Sequence, residues 1–135
     1  MSNRVQVRRI YDAPMPDDGA RVLVDRLWPR GVSKTRAQLD EWCKQIAPST
    51  ELRTWYHHAA DLFDEFSRRY TAELNDAEPA AALAHLKNLA AQQTLTLLTA
   101  TKNPQISEAA VLAKILDDHT GKLSHTFENR PVRTT

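Results

Sequence analysis

Two short stretches of this 135-residue chain carry residue types that do chemistry beside a buried strand. The first is DRLWPRG, residues 25–31, which follows Val22, Leu23 and Val24. Arg26 and Arg30 offer planar guanidinium groups, which hold an oxyanion through paired, charge-assisted hydrogen bonds. Asp25 supplies a carboxylate that could serve as a polar anchor or as a general base; the second role needs reach to the proton and a suitable pKa. Trp28 gives a flat apolar wall, and Gly31 lets backbone amides come close to a ligand. With residues 21–28 as one strand, side chains alternate: Val22, Val24, Arg26 and Trp28 face one way, Leu23, Asp25 and Leu27 the other. Asp25 then lies at the carboxyl end of the strand, the edge where open α/β sheets bind ligands. The structural alternative pairs Asp25 with Arg26 or Arg30 in a buried ion pair that orients the loop, with Trp28 in the core and Pro29 to Gly31 as a turn.

The second stretch is TATKNPQIS, residues 99–107, which also leaves a strand and enters a helix. Lys102, the hydroxyls of Thr99 and Thr101, and the free amides at the helix start are expected to face the same cleft, since helix starts favour anions. Ser107 either caps that helix or touches the ligand. There is no glycine-rich phosphate loop. Together the two stretches predict a site for an anion or a phosphorylated small molecule, built from Asp25, Arg26, Trp28, Arg30, Gly31, Thr99, Lys102 and Ser107. They name no cofactor.

Other reactive residue types have simpler readings. His57 and His58 point apart on a helix and have no third ligand nearby in sequence. Asp117, Asp118, His119 and His125 are metal-binding types at a helix end and tail, and no metal site is expected from either set. Cys43 falls on an apolar helical face, as a small buried hydrophobe would. Arg68, Arg69 and His85 read as helix surface. Trp42, Trp55, Tyr56, Phe63, Phe66 and Tyr70 read chiefly as core, with Tyr56 or Tyr70 within reach of a cleft.

The elements that must position these groups follow from periodicity and punctuation. Residues 4–11 and 21–28 read as strands, separated by the turn-rich segment APMPDDGA. Thr35 and Gln38 have capping-box spacing, and Leu39, Trp42, Cys43 and Ile46 form one helical face, so a helix is expected from Thr35 to the Ala47-Pro48 stop. Ser49 can cap a second helix carrying Leu52, Trp55 and Tyr56. A third, from about Asp61, carries Phe63, Phe66, Tyr70 and Leu74; a fourth starts at Pro79 and carries Leu83, Leu86 and Leu89. TLTLLTAT, residues 94–101, is a strand covered on both faces. A final helix from about Ser107 to Asp118 packs through Val111, Leu112, Ile115 and Leu116, with Gly121 as its stop. Strands separated by helices predict an α/β fold: a small, mainly parallel sheet with helices packed on it, a Rossmann-like layered domain over residues 1–119 with a polar tail at 120–135. The short link between the first two strands leaves their direction open, since a parallel crossover usually needs a dozen or more residues.

Composition narrows the partners. A net charge of +1 gives no global attraction to nucleic acid or an anionic membrane. No stretch reaches the roughly 18 apolar residues needed to span a bilayer, and MSNRVQVRRIYD lacks the apolar run of a secretion signal. One cysteine excludes an internal disulfide and fits a reducing cytoplasm. The alternative to a small-molecule site is a non-catalytic regulatory or interaction module that contacts protein or, with less support, nucleic acid. The basic positions Arg8, Arg9, Arg26, Arg30, Lys34, Arg36 and Lys102 would then gather on one face. Oligomeric state is not legible.

RRIYD, GARVLVDRLWPRGVSK, EWCKQIAPSTELRTWYHH, FDEFSRRYTAEL and LTLLTATK, in that order and spacing, resemble the YeaO-like proteins, a bacterial family without assigned chemistry. The resemblance covers roughly residues 4–118. Members are sometimes labelled MarR-type regulators, a label at odds with the central strands and the lack of a helix-turn-helix here. The wider group that this family resembles typically ends the strand before the last helix in Cys-Ala-Glu-Lys and starts that helix with Cys-His-Arg. This chain has Thr99, Ala100, Thr101 and Lys102 at the first four positions and Ser107, Glu108 and Ala109 at the other three. Closer relatives usually carry Asn-His-Ala at the helix start, of which only Ala109 remains. The thiols and the imidazole that chemistry at those positions would need are not present in this sequence.

Overall fold

The computed structural model describes residues 4–125, with side chains described as far as residue 117. Four parallel strands, β1 (Val5–Arg9), β2 (Ala20–Leu23), β3 (Glu41–Trp42) and β4 (Leu95–Thr99), form one sheet in the order β1-β4-β2-β3. The helices are α1 (Lys34–Ala37), α2 (Thr50–Tyr56), α3 (Phe63–Glu73), α4 (Ala77–Gln92) and α5 (Glu108–His125). The fold is α/β, as expected. The first two strands are not neighbours. β4 lies between them, with Val7 and Val22 both in register with Leu97. The link at residues 10–19 needs no helix to make this parallel return, because an extended chain of that length reaches about 33 Å. It closes through Gly19 at φ +64°, where an added Cβ would lie 2.0 Å from the Thr94 carbonyl oxygen.

The strand alternation sorts the core. Val5, Val7, Ala20, Val22, Val24, Leu95 and Leu97 face α2 to α5 and join Phe66, Tyr70, Leu86 and Leu112 in the main core. The opposite face carries a smaller cluster at the carboxyl end of the strands, with Leu23, Leu98, Val32 and Trp42. At the amino end of that face lies a buried polar network. Arg21 donates to Asp18 at 2.6 Å and to the carbonyls of Ala37 and Gln38 at 2.8 and 3.1 Å. Thr96 bridges the Asp18 carbonyl and Gln6.

Three local expectations fail for physical reasons. The second strand ends at Leu23; Val24 makes a last bond to the Leu98 carbonyl and the chain then leaves the sheet. The helix expected over 35–46 is one turn, capped by the Ser33 hydroxyl on the Arg36 amide rather than by Thr35. Gln38 at φ 48° ends it, and the chain then supplies the edge strand β3 and a 3-10 turn at Lys44–Ile46. Its apolar spacing is divided between two cores: Cys43 and Ile46 join the main one, Leu39 and Trp42 the smaller one. Gly121 does not stop α5, which continues to His125; residues 126–135 lie outside the described residues. α2, α3 and α4 lie close to their expected places. Ser49 caps α2 on the Leu52 amide at 3.1 Å and is itself held by Glu73. No helix among the described residues is long and apolar enough to cross a membrane.

Candidate functional site

A cleft of about 660 Å³ opens at the carboxyl ends of the strands, between the DRLWPRG loop, the end of α2 and the β4–α5 junction. Asp25 ties two of these together. Its Oδ1 accepts from the Thr99 hydroxyl and its Oδ2 from the Ala100 amide, both at 2.8 Å. Its backbone carbonyl accepts from the Trp42 indole at 2.8 Å. A third group lies near the carboxylate: Glu108, the first residue of α5, close enough for a hydrogen bond to Asp25 to raise its pKa. Burial, then this hydrogen bond, then the charge of Asp25 hold the Glu108 carboxyl well above the usual carboxylate range, opposed by the nearby Arg53 cation.

Arg26, Arg30 and Arg53 also line the cleft. Among the described residues none of them forms an ion pair with Asp25 or Glu108, so the structural alternative of an Asp25–Arg26 or Asp25–Arg30 pair is not what holds the loop. Arg26 reaches only the carbonyls of Ala47 and Pro48, each at 3.4 Å, and Arg53 only the Thr50 hydroxyl at 3.4 Å. The Nε atoms of Arg26 and Arg53 are buried without a hydrogen-bond partner among the described residues. Arg30 is exposed, and its carbonyl accepts from the Tyr11 hydroxyl at 3.0 Å.

The walls are aromatic. Trp28 does two jobs: its indole donates to the Val32 carbonyl at 2.7 Å and meets Trp42 edge-on at 5.4 Å, while the ring also borders the cleft. Tyr56 stacks on Phe66 at 4.2 Å and donates to the Ile106 carbonyl at 2.7 Å. Burial and then the nearby Glu108 raise its phenol above the usual value. His57 and His58 follow at the rim with φ of 45° and 59°, a left-handed pair in which neither residue is glycine.

Of the eight residues expected at the site, the structure brings Asp25, Arg26, Trp28, Arg30, Thr99 and Ser107 to the cleft. Ser107 does not cap α5 with its side chain; the hydroxyl donates to the Pro104 carbonyl at 2.6 Å. Lys102 is exposed and lies outside the lining, because Asp25 and Arg9 pin the backbone of residues 100 and 101 and the chain turns away after them. Gly31 is also outside it. Nothing lies within 4 Å of a Cβ built there, so its φ of +80° serves the turn and not a close approach.

Sequence reasoning missed Arg53 and Glu108. The signal for Arg53 was present: three residues before the inward-facing Tyr56, it shares that face of α2. Glu108 directly follows the second stretch, but only the arrival of Asp25 gives it a role. Cys43 is buried, with its thiol pushed up to about 11 by burial and then by the charge of Glu41, so it stays a thiol at neutral pH. Among the described residues no group of three or more His, Cys, Asp or Glu could hold a metal ion; the side chains of Asp118, His119 and His125 lie outside them. Arg8 faces Asp18 in the polar network, and Arg9 sits over Tyr11 and donates to the Thr101 carbonyl.

Residues 4–132 match the model of a family described as the inactive DUF488-N3 subclade. The chain is 51% identical over 114 residues to an uncharacterized protein of Mycobacterium tuberculosis and equally to one of Mycobacterium bovis, covering 84% of this chain and 94% of each relative. It is 46% identical over 109 residues to the uncharacterized protein YeaO of Escherichia coli, covering 81% of this chain and 93% of the relative. No solved structure matches it.

Proposed function

The chain belongs to the inactive DUF488-N3 subclade, and from that premise we propose that it is a binding protein whose cleft holds a small molecule through an oxyanion. One observation carries this reading: two guanidinium groups in one cleft keep a buried Nε–H with no acceptor among the described residues. Buried donors are almost always paired, because an unmet one costs about 1–3 kcal/mol. A ligand oxyanion would meet both. The family description favours binding over turnover, although Asp25 and Glu108 together could hold and release a proton. The single buried thiol suits a reducing compartment, and we place the protein in the cytoplasm.

The test is thermal unfolding of the full chain against a series of inorganic phosphate, phenyl phosphate, acetate and benzoate, with the Arg26→Met, Arg53→Met double variant as control. At least one anion should raise the wild-type midpoint saturably, approaching about 2.7 kcal/mol at a hundred times its Kd. The double variant should show no saturable shift. Equal shifts in both proteins, or none in either, would refute the site.

A further inference from the structure

We infer that the oxyanion taken by this cleft is a dianion, the phosphoryl end of a phosphate monoester, in preference to a carboxylate; this rests on the cleft being the ligand site proposed above. Asp25 and Glu108 are its two acidic lining residues, against three arginines. Asp25 is already committed, with the Thr99 hydroxyl on one oxygen, the Ala100 amide on the other and Glu108 close beside it. Burial and the Asp25 charge both raise the Glu108 carboxyl well above the usual carboxylate range. Even with both acids ionised the lining holds more cations than carboxylates, Arg26 and Arg53 partly buried and Arg30 exposed. Uncompensated charge is costly in a partly buried site. A dianion meets more of that positive charge than a carboxylate does.

The donor geometry points the same way. A guanidinium edge made of Nε–H and a terminal N–H binds two oxygens of one group side by side. Arg26 and Arg53 each keep Nε free, and their terminal contacts at 3.4 Å are weak enough to yield. Two such forks need more than the two oxygens of a carboxylate, and a phosphoryl group on a monoester offers three. The ester side of the ligand would lie along Trp28 and Tyr56, which border the same cleft.

Phenyl phosphate and benzoate share a ring and differ in the anion, so titration calorimetry of the two at pH 7.5 isolates it; the phosphate is then dianionic, its second pKa being about 6. Wild type should bind phenyl phosphate at least tenfold tighter than benzoate. Arg53→Met should lose tenfold or more of the phenyl phosphate affinity. Benzoate bound as tightly as phenyl phosphate, with both lost in Arg53→Met, would overturn the dianion preference and leave the anion site standing. Binding of neither probe to wild type would overturn both this inference and the site.

Discussion

Three arginines near the ends of the sheet should respond in opposite ways to the same substitution. Methionine keeps most of the aliphatic stem of arginine and removes the guanidinium. Arg21 is buried and satisfied through all three nitrogens: Nε on the Gln38 carbonyl, one terminal nitrogen on the Ala37 carbonyl and the other on Asp18 at 2.6 Å. Its side chain is 7% exposed and that of Asp18 2%. Arg21→Met leaves Asp18 buried with the Met15 amide at 2.9 Å and only longer contacts to Gln6 and Arg8. Breaking a buried pair on one side costs about 3–5 kcal/mol. Arg26 and Arg53 sit differently, because their contacts are long and each Nε is unmet. Removing an unsatisfied buried donor returns about 1–3 kcal/mol, less the small worth of the marginal bonds and some lost packing. Arg26→Met and Arg53→Met should therefore be neutral to about 1–2 kcal/mol stabilising in the absence of ligand. Urea unfolding followed by far-UV circular dichroism resolves this. With a slope of about 1–3 kcal/mol per molar, the Arg21→Met midpoint should fall by more than about 1 M. Those of the other two should hold or rise. If Arg26→Met or Arg53→Met falls as far as Arg21→Met, those guanidinium groups hold the fold, and the case for a ligand on them fails.

Gly19→Ala should prevent stable folding or lower the unfolding midpoint severely, since the new Cβ would overlap the Thr94 carbonyl oxygen at 2.0 Å and φ is +64°; a midpoint within a few degrees of wild type in a thermal melt would contradict the β1–β2 link described here. Glu108 is raised in the folded state, so its stabilising contribution is complete below the ordinary carboxylate pKa and is lost as pH climbs towards its folded value. The stability of Glu108→Gln relative to wild type should accordingly grow from pH 4 to pH 8 in urea titrations, and a constant difference would rule the shift out.

The parts of the fold that were legible are those where one physical signal acts alone. The apolar run of β4 is buried at every position, and the Ser49 cap starts α2 as its side chain allows. The encounter of DRLWPRG with the β4 exit was legible too, and Asp25 does reach Thr99 and Ala100. Residues 35–46 were not, because their helical spacing is the accident of a segment that rounds the sheet edge and feeds two cores. Lys102 looked like a second cation, but its orientation depends on where Arg9 and Asp25 hold the preceding backbone. Arg53 shares the face of Tyr56, but that spacing does not say whether its guanidinium ends in water or in a cleft formed by a distant loop.

The two hydroxyl residues at the β4–α5 junction bear on the choice between binding and catalysis. Where the wider group that this family resembles carries cysteines, this chain has Thr99 and Ser107. Both hydroxyls are spent within the protein, Thr99 on Asp25 and Ser107 on the Pro104 carbonyl. The Asp25 carboxylate could accept the Thr99 proton, whereas the Ser107 hydroxyl faces a carbonyl that could not. Asp25 is bonded on both oxygens, to Thr99 and to the Ala100 amide, as an anchor would be. What remains unspent is positive charge: two buried guanidinium edges and an exposed third beside aromatic walls. With both hydroxyls engaged inside the protein and two guanidinium Nε atoms left without an acceptor among the described residues, the balance of the cleft supports the anion-binding reading proposed above.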